Sequence, residues 1–373
     1  MRFVLKALRK LGLGGAVFRL LSPLAADHTP LPSLEEARAM LMALRPDAGS
    51  SALRTQPLPE AAPQCDVDVI IPVYNAAAYL SACLDSVFSQ QTNCSFHVIA
   101  VDDGSTDSSG SILDAYADPR LTVIHQENRG LAGARNRGLL STQARYVYFL
   151  DADDLLCPGC LDALVSCAET HDAQIVEGAF RPAGPDGRPL ELRSHVPGPL
   201  PDGKASFGFA CGKLFSRSCF SHIVFPERYL FEDSIMAQLV FPLACSQAKT
   251  LYGVEAETFL YRQNSSGIVR SSLSSPKSID SLWVTFSLYR DRQALGLMND
   301  QAYYEYLLNM LPLTWRRTEA LGDDVSRAVF VLQRDFLMQN LSGFSTGRPA
   351  YRMLEDAVQD GDFGRYRLFC SLY

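Results

Sequence analysis

From Asp66 to Leu150 the chain repeats one pattern: a short apolar run stopped by Pro, Asn, Gly or acidic residues, then a stretch with helical spacing. "VDVIIPVYN" precedes "AAYLSACLDSVFSQ", in which Leu80, Cys83, Leu84 and Val87 recur every third or fourth residue. "FHVIAVDDGSTD" precedes a helix expected at 108–117, "LTVIHQ" precedes "GLAGARNRGLLST", and "RYVYFL" runs into "DADD". Strands that alternate with helices in this order predict an α/β, Rossmann-like, mainly parallel sheet with helices on both faces. Such sheets bind ligands beyond the carboxyl ends of their strands, and both acidic clusters fall there.

These acids pose a packing problem. Asp151, Asp153 and Asp154 end what is otherwise a buried strand, where like charges repel and an unpaired buried carboxylate is costly. Either they lie in a solvated turn or they hold something positive. Two carboxylates two residues apart suit a hard divalent cation that takes its remaining oxygens from water and phosphate. Asp102 and Asp103 end the second strand, with Gly104 for a tight turn and Ser105 or Thr106 as a cap. Pro72, Val73, Tyr74 and Asn75 end the first, where Asn75 fits an N-cap. In "NRGLAGARNRG" the glycine spacing is not GxGxxG and no P-loop Lys-Ser/Thr follows. Arg135 and Asn136 either serve an anionic ligand or cap and solvate a helix.

The rest of the chain bounds the setting. Of its 373 residues, 47% are hydrophobic, enough for a sizeable core, and the net charge of -7 argues against general nucleic-acid binding. The ten cysteines are scattered through apolar stretches, as in a reducing, cytoplasmic compartment. "CPGC" at 157–160 has no second CxxC and no His at ligand spacing, so it reads as buried thiols. At the N-terminus, Arg19 and Gly12, Gly14 and Gly15 interrupt the apolar run that a signal peptide or a membrane span requires. On a helical wheel Arg2, Lys6, Arg9 and Lys10 fall within about 100° of one another, opposite Val4, Leu5, Leu8 and Leu11. Residues 1–24 are thus expected either to lie peripherally on an anionic membrane or to pack on the protein with a solvated basic face. Pro, Ala and Ser mark 46–64 as a linker. Beyond about 275 the spacing is helical, and Trp283, Tyr303, Tyr304, Trp315, Arg316 and Arg317 are either core or an acceptor surface.

Taken together, "VIIPVYNAAAYLSACLDSVFSQ", "VDDGSTD", "NRGLAGARNRGL" and "YFLDADD", in this order, closely resemble the family 2 glycosyltransferases, inverting enzymes of the GT-A fold. The resemblance is strong over about 66–160 and weaker to about 270. It implies an N-terminal extension and linker at 1–64, a GT-A domain at 65–274 and a helical accessory subdomain at 275–373. It further implies that Pro72, Val73 and Tyr74 contact the nucleotide base, that Asp102 or Asp103 binds uracil or ribose, and that Arg135 belongs to the nucleotide site. The family's DxD motif falls on Asp151 and Asp153. Asp153 would be the direct ligand of Mg²⁺ or Mn²⁺ on the diphosphate, with Asp151 facing the ribose or a metal-bound water. Asp154, Glu232 and Lys213 would approach the donor or acceptor sugar or the diphosphate. "FPERYLFEDSIMAQL" resembles the segment whose Asp is the general base, here Asp233. Arg262 or Arg270 would close on the diphosphate. Family members often carry a His in that stretch, where this chain has Asn264 and Ser265.

These expectations amount to transfer of one sugar from a nucleotide donor, UDP-linked, to a saccharide or lipid-linked acceptor in surface polysaccharide assembly. A phosphatase of the haloacid dehalogenase type also puts DxD after an apolar strand, but Leu155 follows Asp154 where its motif needs Thr or Val, and three strands precede the motif here. A catalytically inactive nucleotide-sugar-binding or scaffold protein is the remaining alternative, and it would not require Asp233.

Overall fold

The computed structural model describes residues 14–25, 27, 29–59, 62–184, 188–194, 196–200, 207–246, 250–264 and 272–373. Arg2, Lys6, Arg9, Lys10, Ser265 and Arg270 lie outside them. The chain divides into two compact units: Gly49–Gly267 with Ser287–Leu297, and Met1–Ala48 with Ile268–Phe286 and Met298–Tyr373.

The first unit is built on a sheet of nine strands among the described residues: β1 (Cys65–Val73), β2 (Phe96–Asp102), β3 (Leu121–His125), β4 (Ala144–Phe149), β5 (Leu155–Leu156), β6 (Ala173–Ala183), β7 (Gly198–Pro199), β8 (Lys213–Ser216) and β9 (Thr250–Arg262). Their order is β3-β2-β1-β4-β8-β6-β9-β5, with β7 on β9. The β3-β2-β1-β4 half is parallel, as the strand–helix alternation requires. β8 then enters antiparallel between β4 and β6, so the sheet as a whole is mixed. The order jumps from β1 to β4, and at that switch the parallel strands end side by side.

Helix Gly130–Ser141 crosses β1 on small residues. A Cβ at Gly138 would sit 2.4 Å from Ile70 Cγ2, so glycine is what lets this helix lie on the sheet. On the other face Leu80, Cys83, Leu84 and Val87 of helix Leu80–Phe88 enter the core with Val67, Val69 and Ile71 of β1. The cysteines are free, and burial pushes the Cys157 thiol up to about 12 and that of Cys160 well above its ordinary value, so neither carries thiolate character at neutral pH.

Residues 49–64, expected as a linker, go with this unit because their backbone is bonded to it. Arg54 N–H donates to His222 O at 2.9 Å, Leu58 N–H to Ser221 O at 3.1 Å, and Gln64 N–H to Gln143 O at 2.9 Å. Residues 287–297 join it likewise, since Asp291 accepts from Ser51 Oγ at 2.7 Å and from the Ala52 N–H at 2.6 Å.

The second unit is helical. Ser33 and Glu36 form a reciprocal capping box on helix Leu34–Leu44, which packs along Asp323–Leu341. Arg45 grips Asp280 with two bonds of 2.7 and 2.8 Å, and Arg327 pairs with Asp27 and Asp323. The stretch 27–45 is therefore an integral part of this unit and not a free extension. Trp283, Tyr303, Tyr304 and Trp315 are buried in the unit's own core and offer no acceptor surface. Among the described residues no helix is long and apolar enough to cross a membrane.

Candidate active site

The ends of β1 and β2 are fastened to each other before any ligand is considered. Asn75 adopts a left-handed conformation (φ 49°) that few residues other than Gly, Asn and Asp tolerate. It does not cap the next helix. Its N–H donates to Ser105 Oγ at 3.0 Å, and its Oδ1 accepts from the Thr106 N–H at 2.8 Å. The Ala76 N–H donates to Ser109 Oγ and the Ala77 N–H to Asp107 Oδ2. The two turns thus form one rigid rim. Pro72 and Val73 are buried behind it, paired with Val101 and Asp102, whereas Tyr74 projects with half its surface exposed.

The neighbouring carboxylates Asp102 and Asp103, which sequence leaves indistinguishable, differ in their partners. Asp102 accepts from the Ser105 N–H at 3.0 Å and binds His125 Nδ1 at 2.8 Å, and His125 reaches on to Asp114. Burial opposes its charge, but these hydrogen bonds outweigh burial and hold its carboxyl below the usual range. Asp103 instead accepts from Gln126 Nε2 at 2.7 Å and from the Arg129 N–H at 2.8 Å, which anchors the entry to helix Gly130–Ser141.

Beyond β4 the three acids part company. Asp154 is buried: its Oδ1 accepts from the Arg262 N–H at 2.9 Å, fastening the acidic turn to β9, while its Oδ2 is buried with no partner. Burial, followed by Asp151 and Asp153, drives its carboxyl far above the usual range. Asp153 is raised to about 6 by burial and then by Asp151, with Arg262 pulling the other way. The Arg262 guanidinium sits over the Tyr79 ring at 5.2 Å.

Asp151 points to a group that sequence places elsewhere. Arg135, almost wholly buried, donates from Nη2 to Asp151 at 3.0 Å and from Nη1 to Glu232 at 2.9 Å and Asp233 at 2.8 Å. Phe225 backs the guanidinium at 5.2 Å. Its side chain therefore faces three acids, 16 to 98 residues away in sequence, and this engagement, not an open nucleotide contact, is its observed place. One guanidinium cannot neutralise three carboxylates, so a proton is held here at unusually high pH. Burial and then Asp233 push Glu232 up to about 7 despite Arg135. Burial and Asp151 likewise raise Asp233, against Arg135, Lys213 and the Ala210 N–H. Glu232 is nearly enclosed, but the Asp233 side chain keeps 31% of its surface open. Both follow Phe231, itself left-handed (φ 66°), and precede a π-helical turn at Met236–Val240.

Asn136 holds this arrangement in place. Its amide donates to Phe225 O and accepts from the Phe225 N–H, both at 2.8 Å, so one side chain substitutes for a backbone partner of the 225 segment. Sequence left it between serving an anionic ligand and capping or solvating a helix. Its signal was two polar residues amid Ala132, Gly133, Ala134 and Gly138, an otherwise buried small-residue face. His125, Gln126 and Ala210 had no signal at all, because each acts through a neighbour that is distant in the chain.

Lys213 does not reach a sugar. β8 is an interior strand, and the ammonium is buried against Glu177 at 2.7 Å and Phe209 O at 2.6 Å. Glu177 also accepts from the Phe207 N–H at 3.0 Å, so this internal ion pair holds the 207–209 segment that leads to Ala210.

Among the described residues no three His, Cys, Asp or Glu side chains converge on a preformed metal cage. A divalent ion nevertheless fits the turn: the donors are hard oxygens, the Asp154 Oδ2 is orphaned among the described residues, and burial followed by repulsion from Asp151 keeps Asp153 and Asp154 high. A cation shared with a diphosphate needs only one or two protein carboxylates.

A parallel half-sheet, a switch point and an acid cluster at the strand ends together define a GT-A-type architecture. Solved structures agree on the fold: Staphylococcus aureus TarS 1-349 in complex with UDP-GlcNAc superposes with a TM-score of 0.53 over 81% of this chain and 89% of that one, at 18% identity. Residues 68–226 match the family model described as glycosyl transferase family 2. The chain is similar to glycosyltransferase GlyG of Streptococcus pneumoniae, 29% identical over 55% of this chain and 73% of the relative. The uncharacterized glycosyltransferase EpsJ of Bacillus subtilis is 37% identical over 33% of this chain and 36% of its own length. The succinoglycan biosynthesis protein ExoO of Rhizobium meliloti is 32% identical over 35% and 38%. The match thus spans most of GlyG but only about a third of EpsJ and ExoO.

Proposed function

We propose that this chain is an inverting glycosyltransferase that moves one sugar from a nucleotide-sugar donor, UDP-linked, to a hydroxyl of a saccharide or lipid-linked acceptor during surface polysaccharide assembly. The observation that carries the reading is the Arg135 cluster, in which one guanidinium joins the Asp151 end of the DxD turn, 16 residues on, to Glu232 and Asp233, up to 98 residues on. A sheet needs no such union for stability, since a buried ion cluster is at best neutral against an apolar one. The TarS complex supports a UDP-linked donor, and the printed role of ExoO supports a polysaccharide product.

In this reading Tyr74, which projects from the rim with Pro72 and Val73 buried behind it, receives the base, and Asp102 or Asp103 the uracil or ribose. Asp233 accepts the proton of the acceptor hydroxyl as its oxygen bonds to the anomeric carbon and the carbon–oxygen bond to the diphosphate breaks on the opposite face. A carboxyl raised by burial and Asp151 is a stronger base than a free one, and its open surface gives the hydroxyl access. Arg135 orients Asp233 and stays charged throughout, because its pKa lies well above the usual value. Glu232, nearly enclosed, shares the guanidinium behind the sugar side, and Asp154 supports the acidic turn from beneath. Asp153, with Asp151 nearby, would hold Mg²⁺ or Mn²⁺, which when bound neutralises charge on the departing diphosphate. Arg262, over Tyr79 and near Asp153, is one cation for the diphosphate, and Arg270, outside the described residues, is the alternative.

Release of UDP from a panel of UDP-sugars, with Mn²⁺ present, tests the donor class. Asp233→Asn is expected to lower turnover at least a thousandfold while UDP binding changes less than threefold. A fully active Asp233→Asn enzyme would remove Asp233 as the base, and a chain that neither binds nor cleaves any nucleotide sugar would be a scaffold.

A further inference from the structure

Two arginines distant along the sheet from the acid cluster have no counter-charge among the described residues. Arg54 lies on the segment strapped to 220–224: its N–H donates to His222 O at 2.9 Å, its Nε to Phe220 O at 3.0 Å, and Leu53 bridges Ile223. Arg217 opens the turn Arg217–Phe220 that leaves β8. Both side chains are half-buried, and Arg54 Nη2 and Arg217 Nε are each buried with no acceptor. No carboxylate among the described residues forms an ion pair with either. The two also sense each other, since burial and then Arg217 pull the Arg54 guanidinium below its ordinary value.

Folding alone gives no reason to gather two cations at one turn and strand an N–H on each, because every such group forfeits a hydrogen bond and the charges repel. A multi-oxygen anion would reverse both costs: guanidinium forks match phosphate oxygens in pairs, and one dianion neutralises two arginines. The same turn supplies Ser218, Cys219, Ser221 and His222 to a cavity of about 230 Å³ closed by Val240, Leu243 and Ala244. Neither arginine lines that cavity, but its Ser221 hydroxyl and His222 imidazole lie within five residues of Arg217 and are further donors for an anion.

We infer that Arg54 and Arg217 form a binding site for a phosphate group, separate from the donor site. The separation follows from the register. Ser216 pairs with Tyr146, near the start of β4, whereas Asp151 lies beyond its end, so the two sites are on the order of 15 Å apart along the strand. The phosphate arrives either as a free anion or as the headgroup of an anionic lipid, and the chemistry of the arginine pair is the same for both.

The test uses the full chain with Arg54→Gln, Arg217→Gln and the double variant. Thermal unfolding is followed in inorganic phosphate and in chloride of equal ionic strength, and flotation is measured with phosphatidylcholine vesicles with and without phosphatidylglycerol. Phosphate is expected to raise the wild-type Tm above that in chloride, and the double variant to lose at least half of that increment. Any remainder belongs to the donor site. In chloride the variants should melt no lower than wild type, because each removes one of two repelling charges. Should Arg54→Gln melt lower, Arg54→Lys, which keeps the charge without the fork, is compared instead and should bind phosphate at least tenfold more weakly. Arginine-dependent flotation with no response to free phosphate assigns the lipid headgroup, and the converse assigns the free anion. A phosphate increment and a flotation that are both unchanged in the double variant overturn the site, as does the absence of any response to both probes.

Discussion

At the scale of single residues, Arg135 concentrates more consequence than any other side chain. Removing the charged partner of buried acids costs about 3–5 kcal/mol, because uncompensated carboxylates remain inside. Arg135→Met is therefore expected to lower Tm by roughly 10 °C or more for a unit of this size. Arg135→Lys should fail to restore activity, since one ammonium cannot present two nitrogens to three acids. A lysine variant with wild-type turnover would contradict the positioning role. His125 gives the pH prediction. Hydrogen bonds to Asp102 and Asp114 raise its pKa above 6.5, so its stabilisation is complete below that value and is lost as pH rises through the raised one. Asp102 behaves oppositely, since its lowered pKa gives stability above 3.8 that is lost as pH falls through the lowered value. With 48% of the imidazole side chain exposed, the histidine effect stays under about 1 kcal/mol. Melting His125→Gln against wild type between pH 5.5 and pH 8 should show a gap that narrows as pH rises. A gap that widened would exclude the ion pair.

At the scale of elements, two junctions set the geometry of the site. The first is helix Gly130–Ser141 on β1, where Gly138 meets Ile70 at the distance of overlap. Gly138→Ala is expected to cost about 1–3 kcal/mol by forcing the helix outward. That shift would carry Arg135 with it, so activity should fall further than Tm suggests. The second is the clamp between the β1 and β2 turns. Asn75→Ala removes acceptors for Thr106 and Asp107 and strains a left-handed position, while leaving the buried Pro72 and Val73 untouched. Its expected signature is weaker UDP binding in calorimetry with little change in turnover at saturation. The strands, their parallel order and the placement of acids at their ends were legible from β-branched runs and stop residues, because both are local. The clamp was not, since it consists of side chains bonding backbone about thirty residues away.

At the scale of the whole molecule, the acid turn after β4 carries the prediction on metal. With Asp154 Oδ2 orphaned and Asp153 held near 6, a cation would relieve repulsion that the protein alone does not. Chelation is expected to weaken UDP binding at least tenfold and to raise protease susceptibility around 151–154, two readouts that need no turnover. Nucleotide affinity indifferent to chelation would remove the cation from the site. The sequence by itself determined the parallel half-sheet, the GT-A resemblance and the positions of Asp102, Asp103, Asp151, Asp153 and Asp233 at element ends, because periodicity and stop residues act over a few neighbours. Only the tertiary structure decided which acids share a counter-ion, that Lys213 is sealed against Glu177, that the C-terminal aromatics are core, and that residues 27–45 and 49–64 belong to different units. Those outcomes depend on which distant side chains are brought within about 3 Å of one another, a matter of packing in three dimensions that no local pattern encodes.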